Sequence, residues 1–301
     1  MDRRDVNWKG CFCAIITPFK ENEEIDEKLF RDNIELLISE GIDGIIISGC
    51  TGESWSLTKE DKKRIFRLGM EQAKKRATVI GGVGQIITKD VIELAQYAKE
   101  IKMDGIMILP PYYCLIKERE VIAHYQAVSD AVKIPILVYN IPRRTGINMD
   151  EKFLEKLAAI ECVVAVKESS DDFIQTERTI KALGDRLVIL PGHSAVRGFA
   201  AVLMGADGYV SSLETQVMGK EAISLYKLAA NHEIEKGRAV QQKCLILDTE
   251  MRKSCGTFPA NVKVAMNMKG RPGGFPRKPL LPPSKEEQEE IRKILGRLNL
   301  L

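Results

Sequence analysis

Eight short runs rich in β-branched residues alternate with longer amphipathic segments, and few folds satisfy that rhythm. The runs fall at residues 13–18, 44–48, 78–82, 105–109, 136–140, 163–167, 187–190 and 208–211. Segments with helical spacing of apolar residues lie between them, for example 27–40, 59–75, 89–102 and 118–132. Thr58 ahead of Lys59-Glu60-Asp61 reads as an N-cap with acid in the first helical turn. Strand–helix units repeating every ~20–35 residues predict a (β/α)8 TIM barrel. A doubly wound sheet is the alternative. It would carry a nucleotide fingerprint after its first strand, where this chain has Thr17-Pro18-Phe19. Gly81-Gly82-Val83-Gly84 lacks a following helix start and reads as close packing at a strand end.

The strand pattern stops near residue 231. Beyond it, 234–252, 260–269 and 284–298 read as helices, broken by the stretch from Gly270 to Pro276 and by the prolines of 279–283. The expected organisation is a catalytic barrel over 1–231 and a helical C-terminal region over 232–301. A chain of 301 residues, 45% hydrophobic, can bury a core of that size.

Charge and cysteine content exclude several functions. The net charge of +3 is small against 45 basic and 42 acidic residues, and no basic stripe is interleaved with aromatics. Nucleic acid is therefore not an expected partner. The apolar runs are too short to span a membrane, and Met1-Asp2-Arg3-Arg4-Asp5 does not begin a signal peptide. Seven cysteines without a C-x-x-C pair read as reduced thiols in a cytoplasmic protein. The three histidines, His124, His193 and His232, are far apart, and no metal is expected.

In a barrel of this kind, chemistry sits at the C-terminal ends of the strands. The second strand ends in Ser48-Gly49-Cys50-Thr51-Gly52-Glu53-Ser54 and the fourth in Pro110-Pro111-Tyr112-Tyr113. The fifth ends in Tyr139-Asn140-Ile141-Pro142-Arg143-Arg144-Thr145-Gly146, the sixth at Lys167, the seventh in Pro191-Gly192-His193-Ser194. Lys167 closes a buried run. It is either a stem that snorkels to water or an amine kept partly neutral to attack a carbonyl. Thr51 and the N–H groups of its small-residue turn suit a carboxylate. Tyr139 alternates with Leu137, a pattern that a purely structural tyrosine inside the barrel with a satisfied hydroxyl would also give, and Arg143 and Arg144 are either a solvated pair or guanidinium forks suited to an acidic substrate. Glu53 and Glu168 read as structural, and Tyr113 as a surface or interface aromatic.

Together these residues resemble the pyruvate-dependent class I aldolase family that contains dihydrodipicolinate synthase and N-acetylneuraminate lyase. The likeness runs nearly end to end. It takes in the turn at 49–54, Pro111-Tyr112-Tyr113, the Tyr139 to Gly146 motif, Val166-Lys167-Glu168, and Val262-Lys263-Val264-Ala265-Met266 through Gly270, Gly274 and Pro279-Leu280. The resemblance implies that Lys167 forms a Schiff base with pyruvate, with no metal or dissociable cofactor. Tyr139, its hydroxyl linked to Thr51, would move protons at the imine. Tyr113 would reach a neighbouring subunit's site in a homotetramer, a dimer of dimers.

Arg144 matches the arginine that binds the carboxylate of aspartate semialdehyde in the synthase branch. The implied catalytic residues are Lys167, Tyr139, Thr51 and Tyr113. The implied substrate-binding residues are Cys50, Thr51, Arg144, Gly192, His193 and Val210. The implied reaction condenses pyruvate with L-aspartate semialdehyde to 4-hydroxy-tetrahydrodipicolinate. Two alternatives stay open. One is an aldolase or dehydratase for a 2-keto-3-deoxy sugar acid or other 4-hydroxy-2-oxo acid, using the same lysine. The other is a barrel that binds a keto acid without turnover.

The chain departs from the synthases at several positions. Cys50 stands where they usually carry threonine, Cys114-Leu115-Ile116 follows Tyr113, and His193 replaces a common acid. Lys59, Lys62 and Ile86 replace polar residues of the lysine-inhibition pocket, although Tyr112 is kept. Feedback by lysine is therefore expected to be weak or absent.

Overall fold

In the computed structural model, which describes residues 1–301, the eight strands form one parallel sheet. They are β1 Gly10–Ala14, β2 Gly44–Ile47, β3 Thr78–Gly82, β4 Gly105–Ile108, β5 Ile136–Asn140, β6 Val163–Glu168, β7 Val188–Pro191 and β8 Gly208–Ser211. The order β7-β6-β5-β4-β3-β2-β1-β8 rolls the sheet into a nearly closed (β/α)8 barrel. Side-chain alternation fills both faces. Phe12, Ile46, Ile80, Met107, Leu137 and Leu190 pack inside the barrel. Cys11, Cys13, Ile45, Val79, Ile106 and Val138 face the surrounding helices.

A local motif closes the barrel floor. Ile42-Asp43-Gly44, Met103-Asp104-Gly105 and Ala206-Asp207-Gly208 lead into β2, β4 and β8. Each aspartate clamps the strand before it in the barrel. Their carboxylates accept from Cys11 N at 2.8 Å, Val79 N at 2.7 Å and Ile189 N at 2.9 Å. Their backbone N–H groups donate to the carbonyls of the same three residues. Asp207 thereby bridges the β7–β8 seam, which has no strand ladder of its own. Sequence reading finds no repeat beyond the strand–helix rhythm, and these three turns are the repeat it overlooks.

The first strand differs from expectation. It spans Gly10–Ala14, not 13–18, because the chain leaves the ladder after Ile15. Ile16 N instead donates to Gln216 Oε1 at 2.9 Å, and the Thr17 hydroxyl to Gly52 O at 2.8 Å. Ile16 is buried against the C-terminal helices, not by strand pairing. The second helix, Lys59–Ala73, starts as predicted, with Thr58 and Asp61 forming a capping box.

Helices Ile234–Ser254, Ala260–Met268 and Lys285–Arg297 follow the barrel. They share one apolar cluster with Ile16, Leu213 and Val217. Charged staples add to it. Arg271 grips Glu40 through two bonds of 2.7 and 2.6 Å, and Arg277 reaches Asp61 at 2.6 Å. Lys263 projects from Ala260–Met268 into the interior, where it meets Glu53, Thr17 O at 2.6 Å and Phe275 O at 2.8 Å. No helix is long and apolar enough to cross a membrane.

Candidate active site

Strand register decides which side chains meet at the barrel mouth. Tyr139 of β5 lies opposite Lys167 of β6. Both point inward, and the Lys167 Nζ sits 4.1 Å from the centre of the Tyr139 ring. Lys167 is only 5% exposed and pairs with no carboxylate. Burial pushes its amine down to about 8, and nearby Arg143 pushes the same way. The snorkelling alternative needs a wet ammonium, which this lysine does not have. Glu168, the next residue, points away from the barrel axis. Its carboxylate accepts from Asn140 Nδ2 at 2.8 Å, Ser170 N at 2.7 Å and Gln175 Nε2 at 3.2 Å. It is structural, as read from sequence, and so is the fully buried Glu53 beneath the site turn.

The Gly49-Cys50-Thr51-Gly52 turn follows β2. Gly52 N and Ser54 N both donate to Gly49 O, which folds the turn back and leaves the N–H groups of Cys50 and Thr51 without an acceptor in the chain. Gly52 has to be glycine, since a Cβ there would lie 2.9 Å from Ile15 O. The Tyr139 hydroxyl meets the Cys50 thiol at 3.9 Å, not the Thr51 hydroxyl expected from sequence. A thiol is the weaker partner, and burial raises the phenol's pKa. This geometry favours a phenol that keeps its proton until a substrate oxygen offers a stronger acceptor.

These groups surround a cavity of about 310 Å³ lined by Cys50, Thr51, Tyr139, Lys167, Arg143, Arg144, His193 and Val210. Seven of the nine residues predicted for the site therefore meet there. Gly192 does not line it. It packs against Ser169, whose hydroxyl would lie 2.0 Å from a Cβ at that position, so it is a spacer that lets the loop pass. Tyr113 is also outside the cavity of its own chain, 91% exposed on a backbone with φ of 74°. His193 is held by Arg143, whose Nη2 donates to Nε2 at 2.8 Å. Burial, then the charge of Arg143, push the imidazole down to about 3, so the ring is neutral and accepts.

Other wall residues escape sequence reading. Ser169, Ser211 and Ser212 add hydroxyls, while Arg252 and Phe258 arrive from the C-terminal region. Periodicity identifies the helix that carries Arg252 but not the face that meets the barrel mouth.

A second cavity of about 210 Å³ adjoins the first and shares Cys50, Tyr139 and Arg144 with it. The Arg144 guanidinium stacks over Trp55 at 5.4 Å. Lys59 is bound to Asp90 at 2.9 Å and Glu93 at 2.6 Å. Lys62 is buried, with one partner, Gly84 O at 3.2 Å. No group of three or more His, Cys, Asp or Glu side chains is arranged to hold a metal.

Known proteins share this architecture. The model for the dihydrodipicolinate synthetase family matches residues 7–298. A 4-hydroxy-tetrahydrodipicolinate synthase of Clostridium perfringens (strain 13 / Type A) is 36% identical over 293 residues, which is 97% of this chain and 97% of the relative. The crystal structure of dihydrodipicolinate synthase from Aquifex aeolicus superposes with a TM-score of 0.91 at 32% identity, over 97% of this chain and 99% of that one. A chloride-inhibited dihydrodipicolinate synthase from Acinetobacter baumannii, solved with pyruvate, gives a TM-score of 0.91 at 27% identity, over 97% and 99%.

Proposed function

This chain belongs to the dihydrodipicolinate synthetase family, and from that premise we propose that it condenses pyruvate with L-aspartate semialdehyde to 4-hydroxy-tetrahydrodipicolinate. The observation that carries the proposal is a buried amine near pKa 8 with no acid among the residues around its cavity. Lys167 attacks the pyruvate ketone, water leaves, and an iminium forms. The iminium withdraws electrons, so the methyl group gives up a proton and becomes an enamine carbon. That carbon bonds to the aldehyde carbon while Tyr139 hands a proton to the aldehyde oxygen. The amino group of the second substrate then closes the ring on the iminium carbon and releases Lys167. No dissociable cofactor is needed, because the lysine itself supplies the electron sink.

Thr51 and the free N–H groups of its turn suit the pyruvate carboxylate, with Cys50 and Val210 beside it. Arg144 suits the carboxylate of the aldehyde, backed by Trp55. Arg144→Ala is therefore expected to lower kcat/KM for aspartate semialdehyde by about 10- to 150-fold, the loss of a charged hydrogen-bond partner. Pyruvate trapping by borohydride should change far less. Equal losses in steady-state and trapping assays would remove this role from Arg144.

A second reading keeps the imine and changes the acceptor, to cleavage of a 2-keto-3-deoxy sugar acid or other 4-hydroxy-2-oxo acid. The hydroxyls of Ser169, Ser211 and Ser212 favour it, as does a wall with no acid to receive an ammonium. A panel of aldehydes and 2-oxo acids assayed on purified protein separates the two.

The exposure of Tyr113 supports a homotetramer in which this residue completes a neighbour's relay, and sedimentation equilibrium checks the assembly. Seven unpaired cysteines support a reducing, cytoplasmic setting. Lysine feedback should be weak, because Lys59 and Lys62 put cations where a lysine ligand's ammonium would need acceptors. Inhibition at sub-millimolar lysine in a steady-state assay would contradict this.

A further inference from the structure

The cavity wall carries more guanidinium donors than the proposed reaction uses. Lys167, Arg143, Arg144 and Arg252 line it, and no aspartate or glutamate does. Lys167 captures the ketone and Arg144 takes one carboxylate. Arg143 and Arg252 are left over. They come from different parts of the chain, one from the turn Pro142–Thr145 after β5, the other from the end of helix Ile234–Ser254. Their side chains are 38% and 30% exposed, which puts them outside the buried Lys167, toward the mouth.

Both guanidiniums are held in place with donors to spare. Arg252 Nε donates to the two carboxylate oxygens of Asp248 at 2.8 and 2.9 Å, and its plane lies 4.6 Å over the Phe258 ring. Its two terminal nitrogens bond to nothing in the chain. Arg143 gives one terminal nitrogen to His193. Its nearest carboxylate, Asp171, is 3.9 Å away and 69% exposed. A neutral His193 orients Arg143 without cancelling its charge. Two clamped guanidiniums with unused N–H groups on one cavity suit an anionic oxygen group. If their purpose were only to pair with Asp248 and His193, neither would need to line the cavity.

We propose that Arg143 and Arg252 form a second anion subsite at the cavity mouth, for a carboxylate or phosphate on the far end of the acceptor aldehyde, beyond the group held by Arg144. The inference rests on the Schiff-base reading of Lys167. The further activity is reversible addition of pyruvate to a dianionic aldehyde. The enamine carbon bonds to the aldehyde carbon, the aldehyde oxygen takes a proton, and water hydrolyses the iminium to restore the ketone and free Lys167. Atoms balance without an added oxidant or reductant. The product is a 4-hydroxy-2-oxo acid with two further anionic groups.

Calorimetric titration of the full chain, saturated with pyruvate, tests the subsite with three probes: butyrate, glutarate and inorganic phosphate. Glutarate is expected to bind at least about tenfold more tightly than butyrate, the gain of one charged contact. Arg143→Gln and Arg252→Gln should each cut that ratio to less than about threefold, with butyrate affinity nearly unchanged. Arg252→Lys keeps the charge and a partner for Asp248, and should retain part of the gain. Phosphate binding lost in the same variants would assign the subsite to phosphate esters, and a selective loss of glutarate to carboxylates. Glutarate no tighter than butyrate, together with phosphate indifferent to both glutamine variants, overturns the proposal. Borohydride trapping of pyruvate on each protein is read separately. Its failure in the unmodified chain would sink the Schiff-base reading, not the subsite alone.

Discussion

Lys167→Ala is expected to lower kcat/KM by at least about 10³-fold and to leave no pyruvate adduct after borohydride reduction. No other group in the cavity can form an imine, so nothing substitutes for the lost amine. The pH dependence follows from the same burial. With its pKa near 8, about one Lys167 in ten is a free amine at pH 7, against roughly one in three thousand for an ordinary lysine. The rate of pyruvate capture by the intact protein should therefore climb about tenfold per pH unit up to roughly 8 and then level off. Rapid-quench trapping across that range checks it, and a rise that continues to pH 10 would mean that the amine is not tuned.

Keeping this amine free has a cost in stability. The folded pKa lies below the unfolded value, so folding expels a proton between about pH 8 and 10.5, and stability rises with pH across that window. Below it the full penalty applies, on the order of 3 kcal/mol. Lys167→Met should be correspondingly more stable at pH 7, with the difference fading above about pH 10.5. The group that makes the reaction possible is thus one the fold would be more stable without.

Much of this could be read in the residues before any coordinates. The bounds of β3, β5 and β8 and of helix Glu118–Val132 match the periodicity to the residue. A barrel strand is buried on both faces, so its composition is set by packing alone. Lys167 and Tyr139 could be found because they lie at the ends of their strands within motifs that meet at one end of the barrel, while the neighbouring Glu168 and Asn140 turn to structural partners. Residues 15–17 misled. They are β-branched and buried, yet Ile16 packs against the C-terminal helices and Thr17 bonds to the Gly52 carbonyl, partners that propensity cannot distinguish from a strand neighbour. Arg252 and Phe258 were invisible because their place in the cavity depends on how a stretch of chain more than eighty residues after Lys167 folds back over the mouth. The Cys50–Tyr139 contact was not legible because Cys50 and Thr51 both line the cavity, and only the folded turn sets which of the two lies within reach of the phenol.

Glu53→Ala should destabilise the protein by about 3–5 kcal/mol, although Glu53 lines no part of the reaction cavity. Glu53 and Lys263 are both fully buried and form an ion pair. The Glu53 carboxylate also accepts from Arg277 N at 3.0 Å. Removing it strands an ammonium whose remaining partners are two carbonyls, Thr17 O and Phe275 O. Burial already pushes Lys263 down to about 8 with the glutamate present. Without that glutamate it must fall further, so the variant's deficit relative to the intact protein should narrow as pH rises toward about 8, above which Lys263 is neutral in both folds and the two proteins change in parallel. The defect should reach the chemistry too, since Glu53 follows the Thr51-Gly52 turn and Lys263 ties that turn to helix Ala260–Met268. Weaker pyruvate capture is expected alongside the lower unfolding midpoint. The paired change Glu53→Leu with Lys263→Met removes both charges and should recover most of the stability. Urea unfolding of the single and double variants measures the coupling. Were the double variant as unstable as Glu53→Ala, the loss would lie in packing around the turn and not in an uncompensated charge.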